Sequence, residues 1–273
     1  MSIQAGVEFL AQHEQLQSKA GAALNVMRIV DDPDASAAQL ARAIAPDPVL
    51  AARLLRVANS PYYGLSGRVG TLPFAVSVVG FQSVRSIAVA AAAGIDRPDA
   101  APAGFWEGAA TAATAAELVA PLLGAQPSDA FSIGLLHTLG AALMHQHLPL
   151  PALCLPEAVE PSQLLRSENE LYGIDHAVAG ARVLAAWHFP ATVTDAIARH
   201  HEALLPDAPP LERTLHVARA LSQRALTGEP FGLGTDDGIC WLSEGRLSSE
   251  DIESMIVRLL EKASGLIEGL RPR

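Results

Sequence analysis

The chain has 273 residues, half of them hydrophobic and only 18% charged, so it can bury a sizeable core and is not a disordered segment. Its formal net charge is -10 and it holds only two lysines, Lys19 and Lys262, so a nucleic-acid backbone would meet mostly repulsion. Aromatic residues make up 5% of the chain and alanine is abundant, a composition suited to helices packed closely through small side chains.

The segment Ile3 to Lys19 reads as a first helix, without the basic start and apolar centre of a signal sequence. Leu24, Met27 and Ile29 continue the helical spacing up to DDPDAS, where Ser36 is placed to cap AAQLARAIA. Asp47-Pro48 is a start signal, an N-cap followed by proline at the first helical position. It opens VLAARLLRVA, in which Leu50, Leu54, Leu55 and Ala58 share a face. NSPYYGLSG is a turn. Thr71-Leu72-Pro73 opens the next helix, and FQSVRSIAVAAAA follows Gly80.

GIDRPDAAPAG, residues 94–104, interrupts two long helical patterns and is the best linker. It divides the chain into an N-terminal helical lobe, 1–94, and a second helical lobe, 105–273. Phe105 to Leu123 and Asp129 to His147 read as long helices, and the proline-rich LPLPALCLPEAVEP connects them to the rest. Helices follow at Ser162 to Leu171, Asp175 to Trp187, Ala191 to His201 and Pro210 to Leu226. TGEPFGLGTDDG reads as a loop, and Ser248-Ser249-Glu250-Asp251 begins a final helix reaching about Gly265. No alternating strand run and no internal repeat stand out. The expectation is an all-α fold of packed helical bundles.

The longest uncharged run, Ala130 to Pro156, is broken by histidines and prolines and falls short of the about 20 mostly apolar residues of a membrane span. Cys154 and Cys240 sit in no CxxC pattern and read as thiols of a reducing compartment. The expected location is the cytoplasm, without membrane attachment.

Several motifs carry a resemblance. DPVLAARLLRVANSPYYG, LPFAVSVVGFQSVRSIAVA and YGIDHAVAGARVLAAWHFPATVTDAIARHHE, over roughly residues 20–225, resemble the HDOD domain family. The third stretch carries Tyr172-Gly173, His176, Gly180, Trp187, Pro190 and His200-His201 in family-like order. GLLHTLG stands where the catalytic HD and HD-GYP relatives carry a histidine-aspartate pair. The resemblance implies an HD-domain-like helical bundle with a regulatory role in bacterial signalling. It also exposes departures from the catalytic pattern. No histidine occurs near Trp106, Thr138 replaces the aspartate after His137, and Arg219 stands near the place of a later aspartate.

A two-metal hydrolase offsets its concentrated positive charge with carboxylates, and an arginine in that place opposes metal binding. The degenerate-site residues are therefore His137, Thr138, His176, His200, His201 and Arg219, with no metal and no catalytic residue expected. His137, His176 and His200 remain as a mononuclear alternative, holding a divalent transition metal in a divergent phosphohydrolase. The plainer reading of His137 is a buried, hydrogen-bonded side chain, and of His176 a first-turn residue capped by Asp175. His200 and His201 read as adjacent on a helix, so their side chains diverge by about 100°, one toward a former site and the other toward solvent, and the two are not expected to share one metal. One of them is expected near His137 and His176.

Arg53, Arg56, Asn59 and Tyr62 around the NSPYYG turn form either a ligand or partner surface or a solvated helix face with a packed turn. The leading expectation is a non-catalytic regulatory module. It would bind a signalling protein in trans, or a small nucleotide-like ligand, in a groove between its lobes.

Overall fold

The computed structural model describes residues 21–95, 100–147, 161–228 and 234–271. Every regular element among them is helical. The order is α1 (Gly21–Val30), α2 (Ala37–Ile44), α3 (Pro48–Ala58), a 3₁₀ turn (Pro61–Tyr63), α4 (Leu72–Val79) and α5 (Phe81–Ala92). Then come α6 (Phe105–Leu123), α7 (Pro127–Leu136), α8 (Leu139–His147), α9 (Pro161–Tyr172), α10 (His176–Ala186) and α11 (Ala191–Ala198). The chain closes with α12 (Pro210–Thr227), α13 (Asp236–Leu242) and α14 (Ser249–Leu270).

The start signals act as their chemistry requires. Ser36 accepts from the Gln39 amide while the Gln39 side chain returns to the Ser36 amide, a reciprocal capping box. Asp47 accepts from the Val49 and Leu50 amides, and Pro48 follows at the first helical position. Asp175 caps α10 through the Val178 amide.

One apolar core joins α1–α5 to α7, α8, α10 and α11, so Val84 and Ile87 pack in the same cluster as Phe131, Leu143 and Trp187. It therefore runs across both sides of the 94–104 stretch. A second core gathers the latter half of α6 with α12, α13 and α14. Helix α6 is the central post, packed on α7, α12 and α14. Arg85 ties the two sides together. It donates to Asp31 at 2.6 Å and to the His188 carbonyl at 2.8 Å, with its guanidinium 4.1 Å from the Phe189 ring centre.

Four expectations need correction or limits. The helix expected over Asp129 to His147 is broken at His137-Thr138 into α7 and α8. The break lets Gly134 lie against the backbone of Ala112 and Ala113, and Gly140 against that of His176. The helix expected to reach His201 stops at Ala198. The loop expected through TDDG contains the start of α13, where Thr235 accepts from the Gly238 amide. The helix expected at Ile3 to Lys19, residue Cys154 and most of the proline-rich connection lie outside the described residues.

Candidate functional site

Four imidazoles meet where α7, α10 and the segment after α11 converge. His137 ends α7, His176 begins α10, and His200 and His201 follow α11. The His137 and His200 ring centres are 5.4 Å apart, those of His176 and His200 5.5 Å, and those of His176 and His201 4.9 Å. The expected cluster of His137, His176 and one of the tandem pair therefore forms, but with both members of the pair inside it. The argument that their side chains diverge fails because α11 has ended. Beyond Arg199 the chain turns, and the two rings stand 4.1 Å apart between centres.

Close helix approach builds this convergence. A Cβ on Gly140 would stand 1.9 Å from the His176 carbonyl oxygen, and one on Gly180 would stand 3.0 Å from the Gly140 amide nitrogen. Helices α8 and α10 thus touch backbone to backbone, and His176 is drawn against the start of α8 at Gly140.

Each ring is held by a specific partner. His137 Nδ1 lies 2.8 Å from the Gly134 carbonyl and His200 Nδ1 lies 2.6 Å from the Ile197 carbonyl. A carbonyl only accepts, so both nitrogens carry the proton and both Nε2 atoms present a lone pair. His176 Nδ1 is 2.8 Å from Glu168 Oε2, which also accepts from the His176 amide at 2.9 Å. Glu168, on α9, was not singled out in the sequence. The signal available was a carboxylate eight residues before His176, ahead of the Tyr172-Gly173 turn.

Arg219 on α12 enters from the other side. It donates to the His200 carbonyl, and its second terminal nitrogen is 3.0 Å from His201 Nδ1. Guanidinium can only donate, so His201 Nδ1 is the acceptor and its Nε2 bears the proton. That proton points at His176 Nε2, 3.0 Å away. The result is one directed chain: Arg219 donates to His201, His201 to His176, and His176 to Glu168.

Electrostatics agree with these roles. Burial, reinforced by Arg219, lowers His137 to about 3. The same two causes push His200 and His201 well below the ordinary imidazole value. His216, also on α12, is lowered to about 4 by burial and then by Arg219 and Arg213. Burial lowers Arg219 to about 10, which leaves it a cation at neutral pH. Among the described residues, no carboxylate oxygen lies within 4.0 Å of the Arg219 guanidinium.

A fold of this type raises the question of a metal. Nitrogen atoms of His176, His200 and His201 lie within 4.8 Å of one another, near enough to surround an ion. A metal, however, needs their lone pairs. The His176 Nε2 pair accepts from His201, the His201 Nδ1 pair accepts from Arg219, and His201 Nε2 carries a proton. The carboxylate bonded into the cluster, Glu168, orients His176 from behind. Thr138 offers a hydroxyl without a hydrogen-bond partner, not a carboxylate. As hydrogen-bonded here, only His200 of the three rings offers a free lone pair, its buried Nε2 having no partner, and one free donor does not fit a divalent metal.

The second group of residues stands apart from this centre. Arg53 is not on a solvated face: it is 2% exposed, with its guanidinium 5.6 Å from the Trp106 ring centre. Asn59 is spent on the backbone, donating to the Leu55 and Val69 carbonyls and accepting from the Val69 amide. It closes the loop from Asn59 to Val69. The Tyr62 hydroxyl donates to Glu117, its ring lies 5.5 Å from the Lys262 ammonium, and burial raises its pKa. Arg56 is half-buried on the same helix as Arg53. These contacts give Asn59 and Tyr62 packing roles.

Comparison with known proteins follows the same lines. The sequence model of the HDOD domain matches residues 16–203. A relative from Treponema pallidum (strain Nichols), named only as an uncharacterized protein, is 28% identical over 227 residues. That match covers 79% of this chain and 43% of the relative, so the chain spans less than half of that protein's length. Among solved structures, a protein from Shewanella amazonensis SB2B, provisionally described as a phosphohydrolase, superposes with a TM-score of 0.70. Its identity is 24%, over 93% of this chain and 97% of that one. A protein from Marinobacter aquaeolei VT8, provisionally described as a signal transduction protein, gives 0.71 at 23% identity over 96% of this chain and 64% of its own. These likenesses establish the fold as HD-domain-like and all-helical. No single described helix is long and apolar enough to cross a membrane.

Proposed function

The chain belongs to the HDOD domain family, and on that premise we propose that it is a regulatory module of signal transduction which binds a partner protein or a small ligand and does not hydrolyse phosphoesters. The observation that carries this reading is Arg219, hydrogen-bonded to His201 and to the His200 carbonyl inside the histidine centre. Phosphoester hydrolysis in a metal centre needs a cation that activates water and offsets phosphate charge. Here the fixed cation is a guanidinium, which has no coordination position with which to bind water and lower its pKa. No carboxylate follows His137, where Thr138 stands.

A partner acting in trans, or a nucleotide-like ligand, follows from the family's regulatory character, and the acidic net charge of -10 disfavours nucleic acid. The test is turnover. Protein purified without chelator and supplied with manganese, iron or magnesium is expected to leave nucleotides and cyclic dinucleotides intact. Hydrolysis that disappears in His137→Ala would overturn the proposal in favour of a divergent metal-dependent phosphohydrolase.

A further inference from the structure

The mismatch between this donor set and a metal has a cause in one side chain. We infer that Arg219 is a built-in cation that takes the structural place of a bound metal, locking the histidine centre through the chain Arg219–His201–His176–Glu168 and excluding divalent ions from it.

Three observations carry this. First, Arg219 makes bonds of the kind a metal centre would otherwise organise. It engages the lone pair of one imidazole and the backbone carbonyl of the neighbouring residue, joining α12 to the segment after α11. Second, its bond to His201 Nδ1 dictates every proton position downstream. His201 Nε2 must donate, so His176 Nε2 must accept at 3.0 Å, and His176 Nδ1 must donate to Glu168 at 2.8 Å. Third, the chain ends on a carboxylate that is 4% exposed, so a buried cation and a buried anion terminate one line of neutral rings. The charge of Arg219 is thereby balanced inside the molecule, across α9, α10 and α12.

Exclusion follows from the same bonds. A divalent ion entering among His176, His200 and His201 would have to take the His176 lone pair from His201 and the His201 lone pair from Arg219. It would do so beside a fixed positive charge in a poorly hydrated site, where like-charge repulsion is strong. The burial-driven lowering of His137 and His200 keeps those rings neutral, so proton competition does not supply the exclusion. Arg219 does.

The inference concerns the role of one residue and does not depend on the regulatory proposal. A resident metal in the wild-type protein would overturn it and leave a regulatory role standing. Metal-independent hydrolysis would do the opposite.

Two measurements test it. In the wild-type protein, nitrogen-15 NMR of the imidazoles at neutral pH is expected to show His201 protonated at Nε2 and bare at Nδ1, and His176 the reverse. The opposite tautomers would overturn the inference whether or not any variant folds. The second measurement titrates cobalt(II), followed by its visible absorption, into wild type, Arg219→Met and Arg219→Lys. Arg219→Met is expected to bind one ion at least about tenfold more tightly than wild type, since a fixed charge has been removed. The gain should vanish in Arg219→Met combined with His201→Ala. Arg219→Lys, which keeps the charge, should show no gain. Equal affinity in wild type and Arg219→Met, or an equal gain in Arg219→Lys, would overturn the inference.

Discussion

His137 and His216 are buried imidazoles held neutral by burial and by the charge of Arg219, and this makes the folded protein sensitive to acid. Their values fall from 6.5 to about 3 and about 4, by burial first and Arg219 second. His200 and His201 move in the same direction. In the unfolded chain each of these rings takes a proton below its ordinary value, and in the folded chain it does not. The unfolded state therefore binds more protons between about pH 4 and 6.5, and stability must fall as pH drops through that window. Each ring contributes about 1.4 kcal/mol per pH unit there. Urea midpoints measured between pH 7.5 and pH 5 are expected to decline steeply, and a flat profile would mean that the rings are charged in the fold. At this scale the sequence disclosed the four histidines of the cluster, because His137, His176 and His200-His201 stand in recognisable motifs, but not His216, which stands in none of them. It did not disclose Glu168, whose partnership with His176 depends on how the turn after α9 folds back.

Between elements, the decisive contacts are made by residues with no side chain at all. Helices α8 and α10 meet at Gly140 and Gly180, where an added Cβ on Gly140 would strike the His176 carbonyl at 1.9 Å. Gly108 on α6, by contrast, has nothing within 4 Å of an added Cβ. The same substitution should thus act in opposite directions. Gly140→Ala is expected to destabilise by about 3 kcal/mol or more, since backbone must move. Gly108→Ala is expected to stabilise by about 0.5–1 kcal/mol through helix propensity alone. Chemical denaturation of the two variants reads both signs, and a neutral Gly140→Ala would show that α8 and α10 are not in backbone contact. The caps at Ser36, Asp47 and Asp175 were legible because a cap is a local bond. The break between α7 and α8 was not, because the apolar pattern runs unbroken through GLLHTLGAALM and only tertiary contact at Gly134 and Gly140 reveals it. The same limit applies to His200 and His201: no glycine or proline marks the end of α11, so the helix appeared to continue.

Across the whole molecule, α14 is a strut that enters both cores, as α6 does. Its first half packs Ile252, Met255 and Leu259 into the core with α6, α12 and α13. Its last turns pack Leu266 and Leu270 into the core of the N-terminal helices. The crossing is tight. A Cβ on Gly265 would stand 2.7 Å from the Tyr62 amide nitrogen, and one on Gly269 would stand 2.9 Å from Val57 Cα. Gly265→Val is expected to lever α14 off the 3₁₀ turn, lowering stability by about 1–3 kcal/mol. It should also raise hydrogen exchange at amides of the 3₁₀ turn and of α3 before those of α12. Uniform exchange throughout would mean that α14 does not couple the cores. The all-helical class was legible from periodicity alone. The length of this last helix was underestimated because Gly265 and Gly269, which look like stop signals, are contact points.

Arg219 gives the histidine centre a further thermodynamic property. A centre closed by a dissolved ion is only as complete as the free concentration of that ion allows, and its contribution to folding rises and falls with the medium. A guanidinium on α12 is tethered to the rings it engages, so its local concentration is set by the chain and cannot be diluted. The geometry of the centre is then a property of the polypeptide alone, the same in a metal-starved medium as in a metal-rich one.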